Sequence, residues 1–312
     1  YIRAKKETIA KYLKDDFNGL LKSLKENMEN KEVKLTLIDY PWDLVNNNPE
    51  AIEEDFELLP QKGIFGSFAE QATVYGDKDN VYVAKGAEIH PFVVLDTKHG
   101  PIIIDEGAEI HPFSRIEGPS CIGKDSLVLG AKIREGTAIG PVCRVGGEVE
   151  ESIMHAYSSK YHDGFLGHAY VCEWVNIGAL GTNSDLKNDY SNVQVYNKGE
   201  LVDTGSPKVG CFIGDHSKTS IGTLLNTGTN VGIMSNVVGS GSVSPKFIPS
   251  FTWFLNDRAF KGHGLRLMIE TAKTVVSRRG RKLTEEDVKL LEHTHAITKE
   301  ERMKLIKKGR KK

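Results

Sequence analysis

The run Ile153–His168 gathers the densest set of reactive side-chain types in the chain, with His155, Ser158, Ser159, Lys160, Tyr161, His162, Asp163 and His168 close together. A second such run, Gly181–Tyr190, carries Thr182, Asn183, Asp185, Lys187 and Asp189. An imidazole that titrates near neutrality can take a proton from an attacking nucleophile, and nearby lysines or arginines can hold an anionic substrate. The near-regular spacing of His155, His162 and His168 offers a zinc site as a lesser rival reading. The cysteines Cys121, Cys143, Cys172 and Cys211 lie far apart without a C-x-x-C pair, which reads as free thiols in a reducing, cytoplasmic setting.

Side chains of this kind need a scaffold, and the periodicity names it. Aliphatic residues recur every six positions at Val83, Ile89 and Leu95, again from Ile104 through Ile110, Ile116 and Ile122 to Val128, and at Ile133, Ile139 and Val145. The period resumes at Val171 and Ile177, then at Ile213, Thr219, Leu225, Val231 and Val237. A small side chain follows four residues later, as at Ala87, Ala108, Ser126 and Cys143. A helix cannot produce this period. Each hexapeptide supplies one short strand and one turn, three close a triangular coil, and stacked coils bury what one coil cannot, giving a mainly β protein built as a parallel β-helix. The two reactive runs interrupt the repeat and read as loops protruding from it, one coil apart. The second leads into a hairpin, Val193–Tyr196 with Leu201–Asp203.

The flanks have helical spacing. Residues 5–29 form an amphipathic pattern, Lys34–Asp39 reads as a strand, and Pro49 opens a short helix to Leu58. Beyond Phe254 the spacing predicts helices over residues 264–279, from Thr284 and from Thr298, ending in a basic tail. The expected organisation is a nucleotidyltransferase-like α/β remnant or connector over 1–60, the β-helix over 61–255 and a helical tail over 256–312. Among 312 residues, 41 basic and 42 acidic side chains give a net charge of −1, so no nucleic-acid partner is expected. No apolar run reaches the roughly 18–20 residues of a membrane span. The chain opens Tyr1-Ile2-Arg3 without Met or a signal-peptide pattern, which reads as a fragment of a longer protein.

Several stretches resemble a known family. Hexapeptide repeats, then a His-bearing segment ending Leu166-Gly167, then Val175-Asn176-Ile177-Gly178-Ala179, resemble the C-terminal acetyltransferase domain of the bifunctional glucosamine-1-phosphate acetyltransferase/N-acetylglucosamine-1-phosphate uridylyltransferases. Tyr40-Pro41-Trp42-Asp43-Leu44, Val145–Ser152, His162–His168 and Asp215–Thr219 are closer still to a divergent bacterial branch of sugar nucleotidyltransferases with the same tail. The resemblance implies a left-handed parallel β-helix, a homotrimer with sites between subunits, and transfer of an acetyl group from acetyl-CoA to an amino-sugar 1-phosphate, glucosamine 1-phosphate first, in synthesis of a UDP-N-acetylglucosamine-type nucleotide sugar. Aligning Leu166-Gly167 places His162 on the family's catalytic histidine, with Asp163 or Glu173 to orient it. Phe165 falls where better-known members have a substrate-binding Tyr, and Asn183 or Asp185 stands for the family's Asn. Backbone N–H groups at Gly178-Ala179 are the expected oxyanion donors. Arg144, Lys160 and Lys187 are expected at the phosphate, and the turn Ser217–Gly222, with Lys218 and Thr219, at acetyl-CoA. No triphosphate-binding loop stands in residues 1–80, so nucleotidyl transfer, with its magnesium, is expected only if a further domain supplies it. Two rival readings are a β-helix zinc enzyme of carbonic anhydrase type and a trimeric scaffold without catalysis.

Overall fold

The computed structural model describes residues 17–27, 35–239 and 241–310. The chain divides into two compact units, Tyr1–Asp39 and Tyr40–Lys312. In the first, helix α1 (Phe17–Asn27) buries Leu20 and Leu24, one turn apart, and leaves Leu21 exposed; the remainder of the pattern over 5–29 lies outside the described residues. Of the expected strand Lys34–Asp39, Lys34 is likewise outside them, and residues 35–39 form no ladder, with Leu35 and Leu37 exposed.

The second unit is a parallel β-solenoid that matches a left-handed β-helix, the exception to the usual right-handed crossover. Its first face is a ladder of ten short strands running from Gly63–Ile64 to Phe247–Ile248. The second face rises from Ser67–Phe68 through Glu88–Ile89, Glu109–Ile110, Ser159–Lys160 and Lys218–Thr219 to Thr252–Leu255. The third face runs from Thr73–Tyr75 through Phe165–Gly167 and Thr182–Asn183 to Leu224–Leu225. Two longer strands, Leu127–Ile133 and Arg144–Glu150, turn the corner between the second and third faces without a break. The six-residue aliphatic columns are the interior: Ile104, Ile110, Ile116, Ile122 and Val128 are fully buried. Burying each such side chain contributes about 1.5–3 kcal/mol, so stability accumulates along the stack.

The corners explain the small residues. Where the first face turns into the second, a buried serine bonds to the next coil: Ser158 Oγ donates to the Cys172 carbonyl (2.7 Å) and accepts from the Val175 N–H (2.9 Å). Ser126 and Ser217 repeat the arrangement. The residue before each serine is left-handed, as at Tyr157 (φ 53°) and His216 (φ 59°). The run Ile153–His168 is therefore not a protruding loop. It is one ordinary coil, with strands Ile153–Met154, Ser159–Lys160 and Phe165–Gly167. The true insertion is residues 184–211, which carry the hairpin Gln194–Asn197/Glu200–Asp203 and pack Val193, Val195 and Val209 against Phe212 and Trp42.

Helices α2 (Pro41–Asn46) and α3 (Asn48–Glu57) lie on the solenoid, α3 through Ile52 and Phe56 against Ile103. After an antiparallel hairpin ending at Lys261 come α4 (Leu265–Ser277), α5 (Glu285–Ile297), capped by Thr284, and α6 (Lys299–Arg310). Helices α4 and α5 cover Met234 and Phe251.

Candidate functional site

The site grows from the corner between the second and third faces. At Gly146-Gly147 that corner is cut to two residues, and a Cβ on Gly146 would stand 2.2 Å from the Tyr161 carbonyl of the coil above. The coil above has a full four-residue corner, Tyr161-His162-Asp163-Gly164. Lys160 fills the space between them. It occupies the aliphatic slot of its hexapeptide, only 2 % exposed, and its ammonium donates to the Gly146 and Gly164 carbonyls (both 2.7 Å) and to the His162 carbonyl (3.3 Å). Burial pushes this lysine down to about 8, although Asp163 and Glu148 favour its charge. Lys160 thus points into the solenoid and supports the corner, rather than facing a phosphate as expected.

On that support the His162 ring is exposed, edge-on to Tyr161 (5.2 Å between centroids), and its side chain has no hydrogen-bond partner among the described residues. Asp163 is exposed beside it, and its carbonyl accepts from the Leu180 N–H (2.8 Å). Glu173 does not orient His162: it sits at another corner, paired with His155 Nδ1 (3.1 Å). The same edge continues upward through Gly178-Ala179 and Gly222, whose N–H bonds the Ala179 carbonyl (2.8 Å). The Gly178 N–H is committed to Thr219 Oγ1 (3.0 Å), which removes it from the expected oxyanion donors. The Ala179 N–H carries no such bond among the described residues.

Two outward lysine and arginine positions lie on the second face. Arg144, Ser159, Asn176, Lys218, Asn236 and Trp253 stand in register, one per coil, so Lys218 is two coils, or about 10 Å, above Ser159. Arg279 approaches Arg144. Burial lowers its proton affinity first, and the charges of Arg144 and Arg278 lower it further. None of these three guanidiniums has an acidic partner among the described residues. Lys218, its ammonium donating to the His216 carbonyl (3.1 Å), borders a cleft of about 530 Å³ between this face and α4, lined also by His216, Asn236, Trp253 and Met268. His216 stacks on Trp174, which stacks on Tyr157, with Arg281 over the last ring. Burial pushes His216 down to about 4, helped by Lys218, so it is neutral at physiological pH.

The remaining expected residues are not brought to this edge. Asn183 is buried in the third face, where its amide closes a two-way bond with the Gly167 backbone (2.8 and 2.9 Å). Ser217 and Thr219 are buried corner and column residues. Phe165 is half-buried on the third face, Lys187 pairs with Asp189 (3.5 Å) in the insertion, and Asp185 holds His168 at the corner between the third and first faces. Sequence reasoning missed that last assembly: His168 Nδ1 lies 2.9 Å from Asp185 and Nε2 3.1 Å from Glu151. The three carry a visible signal, since each stands seventeen residues, one coil, from the next. Within the chain, His155, His162 and His168 occupy three different corners, so a zinc ion held by them would have to be shared between neighbouring chains.

A family model described as sugar nucleotidyl transferase matches residues 2–63. A bifunctional sugar-1-phosphate nucleotidylyltransferase/acetyltransferase of Sulfurisphaera tokodaii is 33% identical over 90 residues, 29% of this chain and 22% of that protein. An uncharacterized acetyltransferase of Escherichia coli, YaiX, is 24% identical over 180 residues, covering 57% of this chain and 78% of its own length. A solved structure of a putative acetyltransferase from Bacillus cereus aligns over 72% of this chain and 96% of its own at 18% identity, with a TM-score of 0.33. The matched stretch is thus about a fifth of the Sulfurisphaera tokodaii relative's length. This chain is similar at its N-terminal end to sugar nucleotidyl transferases and over longer stretches to proteins named as acetyltransferases.

Proposed function

We propose that the chain is an acyltransferase that moves an acetyl group from acetyl-CoA to the amine of an amino-sugar phosphate. The observation that carries this reading is the His162 corner: an exposed imidazole without a protein partner, on a backbone bend fixed from beneath by Lys160. A general base needs both access and a fixed position. In this reading His162 takes the proton from the sugar nitrogen as that nitrogen attacks the thioester carbonyl. The Ala179 N–H faces the negative charge that develops on the carbonyl oxygen, and the C–S bond then breaks to release the CoA thiolate. Arg144, with Arg278 and Arg279, offers cations without acidic partners for a phosphate. The cleft beside Lys218, about 530 Å³ in volume, offers room for the CoA chain. Asp185 and Lys187 take no part. The relatives' names support acyl transfer, and the nucleotidyl transferase match over residues 2–63 supports a sugar phosphate as the acceptor class.

The flat outer faces of the solenoid suit packing of three copies, and the chain acts as a homotrimer in this reading. The test is to follow free CoA with acetyl-CoA and a panel of amino-sugar phosphates, glucosamine 1-phosphate first. His162→Ala is expected to keep the wild-type mass by light scattering and the wild-type thermal midpoint, while turnover falls by ~10²–10⁴-fold. Equal turnover in the two proteins defeats the assignment and favours the scaffold reading.

A further inference from the structure

Two successive coils carry the same pentapeptide, Glu88-Ile89-His90-Pro91-Phe92 and Glu109-Ile110-His111-Pro112-Phe113. The ladder pairs Glu88 with Glu109 and Ile89 with Ile110, so each residue of the first copy lies on its counterpart in the second. The isoleucines point inward. The glutamates line the outer second face, and the histidines stand where it bends. The two imidazoles are stacked, 4.8 Å between centroids and 10° from parallel, and the left-handed Phe92 and Phe113 stack beside them at 5.7 Å. The repeat ends there: the equivalent stretch of the next coil is Leu127-Val128-Leu129-Gly130.

The histidine Nε2 atoms are the unusual part. Both are shielded from solvent, and neither has a hydrogen-bond partner. His111 Nε2 is 3.4 Å from a Glu109 oxygen and His90 Nε2 is 3.7 Å from a Glu88 oxygen, aligned with neither. Polar atoms shielded from solvent without partners are costly, and two at adjacent positions need a reason. One ligand atom from each of His90, Glu109 and His111 lies within 4.8 Å of the other two. Three points so placed share a centre no more than about 2.8 Å from each, against the ~2.0–2.2 Å of zinc bonds to imidazole and carboxylate, and the two part-exposed rings must turn out of their parallel stack to aim both nitrogens at one ion.

We propose that His90, His111 and Glu109, with Glu88 beside them, bind one borderline divalent cation of the zinc type across two coils. Two imidazole nitrogens and a carboxylate oxygen favour zinc over magnesium or calcium, which take oxygen ligands. The site is on coils remote in sequence from His162, and it does not depend on the acyltransferase reading. Its effect is to clip the first coils together.

The test is zinc titration of the chelator-treated full chain against a chromophoric competitor, with cobalt absorption as a second reading. One saturable site per chain is expected. His90→Ala and His111→Ala should each weaken it by more than ~10-fold, and the double variant should abolish it. Zinc should also raise the thermal midpoint of the wild-type chain and leave that of the double variant unmoved. Absence of saturable binding, or the same affinity and stoichiometry in the double variant, overturns the proposal.

Discussion

Replacing His168 with Gln should remove a pH dependence of stability that the wild-type chain shows between about pH 6.5 and 9. The His168 side chain is 5% exposed and lies between Asp185 and Glu151. Burial alone would push its proton affinity down; the hydrogen bonds and charges of the two carboxylates outweigh that and raise it from 6.5 to about 9. Its charge in turn holds Glu151 low, chiefly through their hydrogen bond, and holds Asp185 low against the opposing effect of burial. In the unfolded chain the imidazole titrates near its ordinary value. Below that value both states bind the proton and the stabilisation is fully present. As pH rises toward 9 the folded state holds a proton that the unfolded state has lost, so stability declines, and the full span corresponds to about 3 kcal/mol. Gln keeps a donor for one carboxylate but leaves the half-buried Glu151 and Asp185 with only the more distant charge of Lys208, so near pH 6 the variant should be less stable by about 3 kcal/mol. Urea unfolding followed by tryptophan fluorescence at closely spaced pH values measures both effects. A wild-type midpoint that stays level from pH 6.5 to 9, or a slope that survives in His168→Gln, would refute this account.

Lys160→Met keeps most of the volume but withdraws the donor from the Gly146 and His162 carbonyls, while the Gly164 carbonyl retains the Glu148 N–H (3.0 Å). The expected cost is about 2–4 kcal/mol, with kcat falling more than KM rises because the His162 corner loses its support, as chemical denaturation and CoA-release kinetics will show. Ser217→Ala breaks the links to the Gly232 carbonyl (2.7 Å) and the Ser235 N–H (3.0 Å), so it should lower stability by about 1–2 kcal/mol and leave KM for acetyl-CoA unchanged. A raised KM at unaltered stability would return Ser217 to the cofactor site.

Much of the architecture was legible because the β-helix writes its period into the chain. Every aliphatic residue from Val83 to Val145 in the six-residue series is an interior residue, and the small residues four positions on are its corners. The reading failed where polar residues occupy the same slots. Lys160 and Asn183 stand in the interior columns among Val145, Ile177 and Leu225, and the sequence alone offers no sign that a lysine or an asparagine there bonds backbone instead of facing solvent. The coil from Ile153 to His168 consequently read as a loop. Residues six or seven apart in a triangular coil lie on successive corners, so the reactive side chains of this run face different ways.

That geometry also explains which pairings the solenoid does permit. Side chains meet when they are one coil apart, as Glu151, His168 and Asp185 do, or when a repeated pentapeptide stacks on itself, as at His90 and His111. A single coil offers at most a few outward residues per corner, as Tyr161, His162 and Asp163 show. A site for a substrate as large as an acetyl-CoA and sugar-phosphate pair must therefore extend along the axis or use a second chain. The His162 corner, the Arg144 lane and the Lys218 cleft lie along one edge and its adjoining face, spanning four successive coils from Arg144 to Lys218. A neighbouring copy on that face would enclose them, which is why catalysis by this chain and its assembly into a trimer are expected to be lost together when that face is blocked by a bulky substitution at exposed Asn176, while unfolding of the isolated chain is unaffected.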